Sequence, residues 1–303
     1  MNELKHEFTW KLAARPERVF AALTQAEELE QWFAEHAEVE PRVGGAYRFW
    51  GKHTYGTPSR AEAMQTITHF EPGRALGFSW RIHDRDSVVS LVVEPDPENA
   101  ESSVLQGAHE FADAPAIGRA NEMVDDLWRF NWGNLHAHLA GGQGKMLVDY
   151  RDASAKVALS VYIDASPSAV FRTLIDPERI RQWFGVAASV DPRAGGDWHL
   201  KMEIEKHGQK VASPPCTILE YVENERLAIS WPDWRGDEGL PDQRVVWTLT
   251  PEGSGTRVDF VHDGFVRAAD ISDYPFGWSW FLSRIRAIAE GKPLDAPPDP
   301  DCC

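Results

Sequence analysis

The chain has 303 residues, of which 43% are hydrophobic and 26% are charged, a composition typical of a globular protein. Its 47 acidic and 31 basic residues give a formal net charge of −16. Because such a surface repels phosphate backbones and anionic lipid headgroups, the charge argues against nucleic acid and membranes as primary partners. The polar N-terminus and the presence of only 3 cysteines lead us to expect a reducing, cytoplasmic location.

The first half of the sequence recurs in the second half. Residues 16–45 align without insertion with residues 167–196, and nearly half of the aligned positions are identical. At average residue usage, chance would give roughly two identities. Each copy is long enough to bury its own core, so we predict two tandem domains. The predicted segments are a divergent domain over 1–142, a linker over 143–154, a typical domain over 155–293 and a disordered tail over 294–303.

Each copy is predicted to open with a strand, because apolar and polar residues alternate there with period two. The apolar rows are Leu4, Phe8, Trp10 and Leu12 in the first copy, and Val157, Leu159, Val161 and Ile163 in the second. Two short helices are predicted next. In the second copy, Ser166 and Asp176 are N-caps that proline follows at the first helical position, and the second helix ends at Phe184.

A run of five strands is then predicted in each copy, followed by one long helix. The glycine pairs at 44–45 and 195–196 suit a tight turn that requires a positive φ. The final helices carry apolar residues at three- and four-residue steps through Trp132 and Trp278. The hairpin spacing of the strands predicts an antiparallel sheet with the helices on one side, which is an α+β layer fold.

Several of these motifs together resemble a known family. They are a Val-Phe-x-x-Leu stripe, a Trp-Phe pair, Pro-x-x-Gly-Gly, and the segments 227–231, 255–258 and 262–265 before Trp278. This set is similar to the bacterial activator-of-heat-shock-protein-90-ATPase-like family of the START-like, or SRPBCC, helix-grip superfamily. The resemblance covers nearly all of both copies. It implies, for each, a curved antiparallel sheet wrapped around a long C-terminal helix, with two short helices after the first strand.

The second copy fits this family pattern better than the first. The His-x-Gly-Phe element that begins at His262 has no match in the first copy, where Ala108 is expected to take the position of the histidine. The loop at 51–60 also shows no similarity to residues 202–211. We therefore expect the interiors of the two domains to differ.

The resemblance implies an apolar cavity between the sheet and the final helix, and aromatic residues are its predicted walls. Three tryptophan pairs are expected at equivalent places: Trp32/Trp183, Trp80/Trp231 and Trp132/Trp278. The predicted pocket residues are Trp32, Phe33, Tyr47, Phe49, Phe78, Trp80 and Trp132 in the first copy, and Trp183, Phe184, Trp198, Trp231, Trp247, Phe260, His262 and Trp278 in the second. Ordinary core packing is the alternative explanation for each of these side chains.

These features favour non-catalytic binding of a small hydrophobic or aromatic molecule, with no cofactor and no metal. One alternative is a cyclase- or dehydratase-like enzyme, for which His262 beside Asp263 is the best candidate, since histidine titrates near neutrality. Strand alternation, however, places the two side chains on opposite faces. A second alternative is an interaction module whose partner is a chaperone or a second copy, because two fused domains can imitate a homodimer.

The remaining patterns carry less information. His136 and His138 have the wrong spacing for one helical face, so we predict no metal site there. Cys216 is predicted to be a small buried residue, while the cysteines at 302 and 303 fall in the tail. Trp234, within the charged segment 233–238, is a candidate lid over the pocket.

Overall fold

The computed structural model describes residues 3–57, 59–82, 84–115, 120–142, 145–152, 154–206, 209–232 and 241–294, without the side chains of 120–122, 204–206, 209 and 269. By its internal contacts, the chain divides into two compact units, Met1–Asp152 and Ala153–Ala296. Among the helices of the described residues, none combines the length and the apolar character needed to cross a membrane.

The first unit consists of one main sheet, a short ribbon and three α-helices in its described part. The elements are β1 (Leu4–Leu12), α1 (Pro16–Thr24), α2 (Ala26–Trp32), β2 (His36–Val39), β3 (Tyr47–Trp50), β4 (Ile67–Glu71), β5 (Ala75–Ile82), β6 (Arg85–Asp96), β7 (Asn99–Phe111) and α3 (Ala120–Leu139). The main sheet is antiparallel with the order β1-β7-β6-β5-β4, and β2 pairs with β3. Helix α3 packs against β1, α1 and α2, which encloses the core.

The second unit repeats this arrangement with additional short strands. The elements are β8 (Val157–Ile163), α4 (Pro167–Ile175), α5 (Pro177–Phe184), β9 (Ala188–Val190), β10 (Asp197–Leu200), β11 (Glu203–Lys206), β12 (Gln209–Ala212), β13 (Cys216–Val222), β14 (Arg226–Trp231), β15 (Gln243–Glu252), β16 (Gly255–Asp263) and α6 (Tyr274–Ala289). The main sheet has the order β8-β16-β15-β14-β13-β10-β9, and β11 pairs with β12. Helix α6 packs against β8, α4 and α5.

Both units confirm the predicted α+β helix-grip fold, with two short helices after the first strand and a long C-terminal helix. The predicted number of strands is wrong, because β2, β9, β11 and β12 were not expected. These strands have only three or four residues, and they lack the Trp, Tyr or Phe side chains that mark the equally short β3 and β10. The β11–β12 ribbon lies in the segment of the second unit that has no counterpart in the first, where residues 51–57 form turns.

The paired glycines form the turn that leads into β3 and β10. Gly44 has φ +75° and Gly195 has φ +77°, which confirms the predicted need for a positive φ. The second glycine of each pair is limited by space instead. A Cβ at Gly45 would lie 2.2 Å from the carbonyl oxygen of Glu40, and Gly196 is restricted in the same way. The turn therefore disfavours a side chain at the first glycine through backbone strain and excludes one at the second through overlap with the backbone.

The short helices of the second unit are capped more completely than those of the first. The predicted caps are confirmed, because the side chains of Ser166 and Asp176 accept hydrogen bonds from backbone N–H groups in the first turns of α4 and α5. In the first unit, Arg15 and Gln25 hold these positions without a side-chain cap. The two units thus differ in the local stability of these helices.

Glu290 connects the end of α6 to the end of β8. Its carboxylate accepts hydrogen bonds from the backbone N–H of Asp164 at 2.9 Å and from Arg286 at 3.1 Å, and it pairs with Lys292 at 2.7 Å. Burial by itself raises the pKa of this carboxyl, but the bonds from Lys292, Asp164 and Arg286 outweigh it and lower the pKa to about 2. The ionised form therefore stabilises the folded second unit.

The segment that we predicted as a linker, 143–154, contacts the first unit along residues 145–152. The backbone of Met146 exchanges two hydrogen bonds with the side-chain amide of Asn134 on α3, at 2.7 and 3.0 Å. The backbone N–H of Tyr150 donates to the carbonyl of Lys52 at 2.8 Å. These bonds hold the segment against the surface of the first unit.

Candidate functional site

A buried histidine stands at the interface of the sheet and the C-terminal helix in each unit. His109 on β7 and His262 on β16 are both 0% exposed. Nδ1 of His109 accepts a hydrogen bond from the indole N–H of Trp128 at 3.1 Å, and Nδ1 of His262 accepts one from Trp278 at 3.0 Å. Because an indole can only donate, Nδ1 carries no proton, and the proton of the neutral ring lies on Nε2.

The Nε2–H of each histidine donates to a side chain on the neighbouring strand. The acceptor is Oγ of Ser87 at 2.7 Å in the first unit and Oε1 of Gln243 at 2.8 Å in the second. Ser87 and Gln243 occupy equivalent positions, directly opposite Trp80 and Trp231 in their sheets. Each histidine therefore connects the sheet to the C-terminal helix through both ring nitrogens.

This geometry does not provide a catalytic dyad. His262 faces the interior, whereas Asp263 faces the other side of the sheet and accepts hydrogen bonds from Arg244 at 2.7 and 3.1 Å. The prediction that the two side chains point to opposite faces is confirmed. To act as a base at Nδ1, His262 would have to give up the bond from Trp278, so the arrangement assigns the ring a structural role.

Two pairings between the copies, predicted from the sequence, are wrong. The counterparts are Trp128, not Trp132, for Trp278, and His109, not Ala108, for His262. Loops between the matched elements differ in length, so the offset between the two copies changes after β5 and β14 and cannot be fixed from the sequence alone. Trp128 and His109 were therefore not predicted from the sequence. A search for a helix tryptophan that follows a strand-end histidine in both copies would have found them.

Four of the predicted pocket residues use their polar atom to bind the end of the first helix. Trp32 and Trp183 donate to the carbonyls of Ala22 and Thr173, and Tyr47 and Trp198 donate to those of Leu23 and Leu174, at 2.7–3.0 Å. All four side chains are at most 2% exposed. Both units therefore keep these two bonds, one through the same residue at Trp32 and Trp183 and the other through different residues at Tyr47 and Trp198.

The layer beside Trp80 in the first unit is filled by aromatic rings. Phe33 is 6% exposed and packs edge-on against Phe49, with ring centroids 4.8 Å apart, and against Trp80 at 6.0 Å. Phe78 completes this layer, edge-on to Phe49 at 6.0 Å. The interior of the first unit is thus closed at this point by three phenylalanine rings.

The corresponding layer beside Trp231 in the second unit contains aliphatic side chains instead. Leu200 and Ile229 replace the two strand phenylalanines of the first unit, and both are buried. Phe184, the counterpart of Phe33, is only half-buried, and it stacks on Phe281 of α6 with ring centroids 4.7 Å apart. The ring of Phe33 therefore enters the interior of the first unit, whereas the ring of Phe184 lies against the outer part of the final helix of the second unit.

In each unit one aromatic ring packs under the final helix, but the two rings come from different strands. In the first unit Phe8 on β1 lies opposite Gly107, where a Cβ would be 2.1 Å from the phenylalanine ring. In the second unit Leu159 on β8 lies opposite Phe260. Phe8 and Phe260 reach the histidine-bound tryptophan of their helix at 5.2 and 4.5 Å, respectively. The aromatic residue thus lies on β1 in the first unit and on β16 in the second, and the space under the final helix is filled in both.

Three of the predicted pocket residues carry a buried indole N–H with no hydrogen-bond acceptor among the described residues. They are Trp80, Trp132 and Trp247, each at most 1% exposed. The indole of Trp231, by contrast, donates to the hydroxyl of Tyr274 at 3.3 Å. The first unit has Val124 in place of this tyrosine, four residues before its histidine-bound tryptophan, so Trp80 lacks the equivalent acceptor.

The other candidates from the sequence do not form a reactive site in the part of the chain that the structure describes. There, no group of three or more histidine, cysteine or carboxylate residues is placed to hold a metal ion. His138 pairs with Glu28 at 2.6 Å. Burial raises the pKa of the Cys216 thiol to about 12, in agreement with a small buried residue. The candidate lid residue Trp234 and the cysteines at 302 and 303 lie outside the described residues.

A family model described as "Activator of Hsp90 ATPase homolog 1-like protein" matches residues 13–140 and 164–290. These two segments make up most of the chain, so the protein belongs to this family and contains one family domain in each unit. No curated protein matches the chain.

Several solved structures are similar to the chain. DynU16, a putative protein in the dynemicin biosynthetic locus, is 17% identical over 94% of this chain and 98% of its own, with a TM-score of 0.40. An AHSA1-like protein from Rhizobium etli is 31% identical over 48% of this chain and 86% of its own, with a TM-score of 0.37. The Aha1 dimer from Colwellia psychrerythraea is 17% identical over 45% of this chain and 96% of its own, with a TM-score of 0.35.

Proposed function

We propose that the second unit binds a small hydrophobic or aromatic molecule between its sheet and its final helix, without chemistry on that molecule. The observation that supports this function is the difference between Phe33 and Phe184. Phe33 fills the interior of the first unit beside Trp80, whereas Phe184 stacks on Phe281 and leaves aliphatic side chains beside Trp231.

The first unit suggests what kind of molecule the second unit accepts. A flat apolar ligand beside Trp231 would take the place that the ring of Phe33 holds in the first unit. It would contact Leu200, Ile229 and Trp231, which offer apolar surface and one aromatic face. In this proposal the first unit is a closed homologue whose own side chain occupies the ligand position.

A purely binding function agrees with the polar groups of this interior. Trp278, His262 and Gln243 form one hydrogen-bonded chain, and Trp231 donates to Tyr274. Both ring nitrogens of His262 are engaged within the protein, and the indole and amide groups on either side of it neither gain nor lose a proton near neutral pH. These residues instead hold the walls of the site in fixed positions.

Titration of the full-length chain with tetralin, an apolar bicyclic hydrocarbon, tests the proposal. The indole N–H signals of ¹⁵N-labelled tryptophan report binding, and single Trp→Phe variants assign them. We expect tetralin to move the signals of Trp231, Trp247 and Trp278 and to leave those of Trp80 and Trp128 in place. Equal shifts in both units, or none in the second, would contradict the proposal.

A matched pair of variants tests the position of the ligand. Leu200→Phe introduces the residue that the first unit has at this place, so we expect tetralin to bind at least about tenfold more weakly, because the added ring overlaps the site. Phe49→Leu makes the reverse change in the first unit and should leave tetralin binding unchanged. Unfolding curves of both variants check that each unit remains folded.

A further inference from the structure

Among the predicted pocket tryptophans of the second unit, Trp247 is the one whose buried indole N–H has no acceptor among the described residues; Trp80 and Trp132 share this feature in the first unit. Trp247 on β15 is 0% exposed, and it alternates with the buried residues Val245 and Leu249 on the inner face of the sheet. Its ring lies 5.8 Å from that of Trp278 on α6. Within the described ranges, its Nε1–H has no hydrogen-bond acceptor.

The fold itself does not require this donor. Four other indole N–H groups of the same unit each donate a hydrogen bond to a protein acceptor. They belong to Trp183, Trp198, Trp231 and Trp278. The first unit has Leu91 at the position of Trp247, since the two residues lie opposite equivalent leucines of β5 and β14. A leucine therefore satisfies the packing at this place, whereas a buried unpaired N–H carries a cost.

Trp247 also lies next to the proposed ligand position. It pairs with Leu227 on β14, and the following inner residue of that strand is Ile229, which pairs with Val245. Residues on one face of neighbouring strands that are offset by one such step are within reach of a long aromatic side chain. The register therefore places Trp247 one inner-face step from Ile229, within reach of the aliphatic layer beside Trp231.

Resting on the proposed function, we propose that the ligand carries a neutral hydrogen-bond acceptor, such as an aromatic ketone oxygen, which the indole N–H of Trp247 binds. The acceptor is neutral because the buried polar residues in the described part of the second unit include no lysine or arginine. A carboxylate in this layer would therefore be buried without a counter-charge, at a large cost. The ligand class is a flat apolar molecule with one carbonyl or ether oxygen.

The experiment compares 1-tetralone with tetralin, two molecules of nearly the same shape that differ by a carbonyl group. Dissociation constants are measured by indole N–H titration of the full-length chain, for the wild type and for Trp247→Leu, which introduces the residue of the first unit. The preference for tetralone is the ratio of the dissociation constants of tetralin and tetralone. Because a carbonyl group also loses hydrogen bonds to water on binding, the informative quantity is the change in this ratio between the wild type and Trp247→Leu. We expect this preference to fall by at least about fivefold in Trp247→Leu.

The control variant replaces a tryptophan of the first unit whose indole N–H also lacks an acceptor among the described residues. Trp10→Phe should leave the preference for tetralone unchanged, because Trp10 lies on β1. In the wild type, both probes should move the Nε1–H proton signal of Trp247, and tetralone should move it further downfield than tetralin because only tetralone accepts a hydrogen bond from it. This signal decides the question if Trp247→Leu does not fold.

The outcomes separate this inference from the proposed function. If tetralin binds the second unit but Trp247→Leu keeps the preference for tetralone, or the Trp247 signal responds equally to both probes, the acceptor inference is overturned and the binding proposal stands. If neither probe affects the second unit, both are overturned.

Discussion

Replacing His262 by leucine is expected to destabilise the second unit by about 2–6 kcal/mol. Leucine is apolar and similar in size to histidine, so the substitution mainly removes hydrogen bonds. The substitution removes the hydrogen bonds that the histidine makes with the indole N–H of Trp278 and with Oε1 of Gln243. Both residues are buried, at 2% and 6% exposure. Each buried polar group that loses its partner costs about 1–3 kcal/mol, and two such groups give the stated range.

Urea unfolding of the full-length chain measures this cost. Tryptophan fluorescence and far-UV circular dichroism are followed together, because the two units need not unfold in one transition. His109→Leu makes the corresponding change in the first unit and so identifies its transition. With a slope near 2 kcal/mol/M, a loss of about 2–6 kcal/mol lowers the midpoint of the second unit by about 1–3 M.

The neighbouring residue provides the control. Asp263→Asn removes the pair with Arg244 on the outer face of the same strand, where exposed ion pairs contribute less than about 1 kcal/mol. If His262→Leu costs no more than Asp263→Asn, the hydrogen bonds of the histidine are not what connects the helix to the sheet, and the structural role assigned to it is refuted.

Three further predictions concern single contacts. Gly107→Ala should destabilise the first unit by about 1–3 kcal/mol, because the new Cβ overlaps the ring of Phe8, and adding Phe8→Leu should restore most of the loss in the unfolding midpoint; no rescue would argue against the overlap. The lowered pKa of Glu290 means that its contribution to the stability of the second unit is present above pH about 4.5 and is lost as the pH falls towards about 2. Acid unfolding of Glu290→Gln should lack this part of the pH dependence, and an unchanged acid transition would count against it. Asp176→Ala should cost about 1 kcal/mol in the second unit through loss of the helix cap, while Gln25→Asp should stabilise the first unit if the missing cap matters there.

The fold could be predicted from the sequence to a large extent, because its signals are local. Alternation in Leu4–Leu12 and Val157–Ile163 defines the first strands, and the capping residues Ser166 and Asp176 mark where the helices of the second unit begin. The glycine turns were predictable for the same reason. The short strands β2 and β9 were missed, since they are held by pairing with a neighbour and carry little pattern of their own.

The candidate site could be predicted only in part. The sequence singled out Trp231, His262 and Trp278 as residues of one interior, but it did not indicate that they belong to a hydrogen-bonded network with Tyr274 and Gln243. These partners lie on different elements, and their pairing depends on strand register and on the rotation of the last helix. Loop lengths control that register, and the loops differ between the two copies.

By itself, the sequence determined that one building block occurs twice, which elements it contains and which faces of them are apolar. Only the tertiary structure decided that the ring of Phe33 enters one interior while that of Phe184 stays outside the other, and that the indole of Trp247 is left without an acceptor among the described residues. The physical reason is that periodicity is a property of neighbouring residues along the chain. The direction of a side chain and the partner of a buried polar atom are set by contacts between residues far apart in sequence.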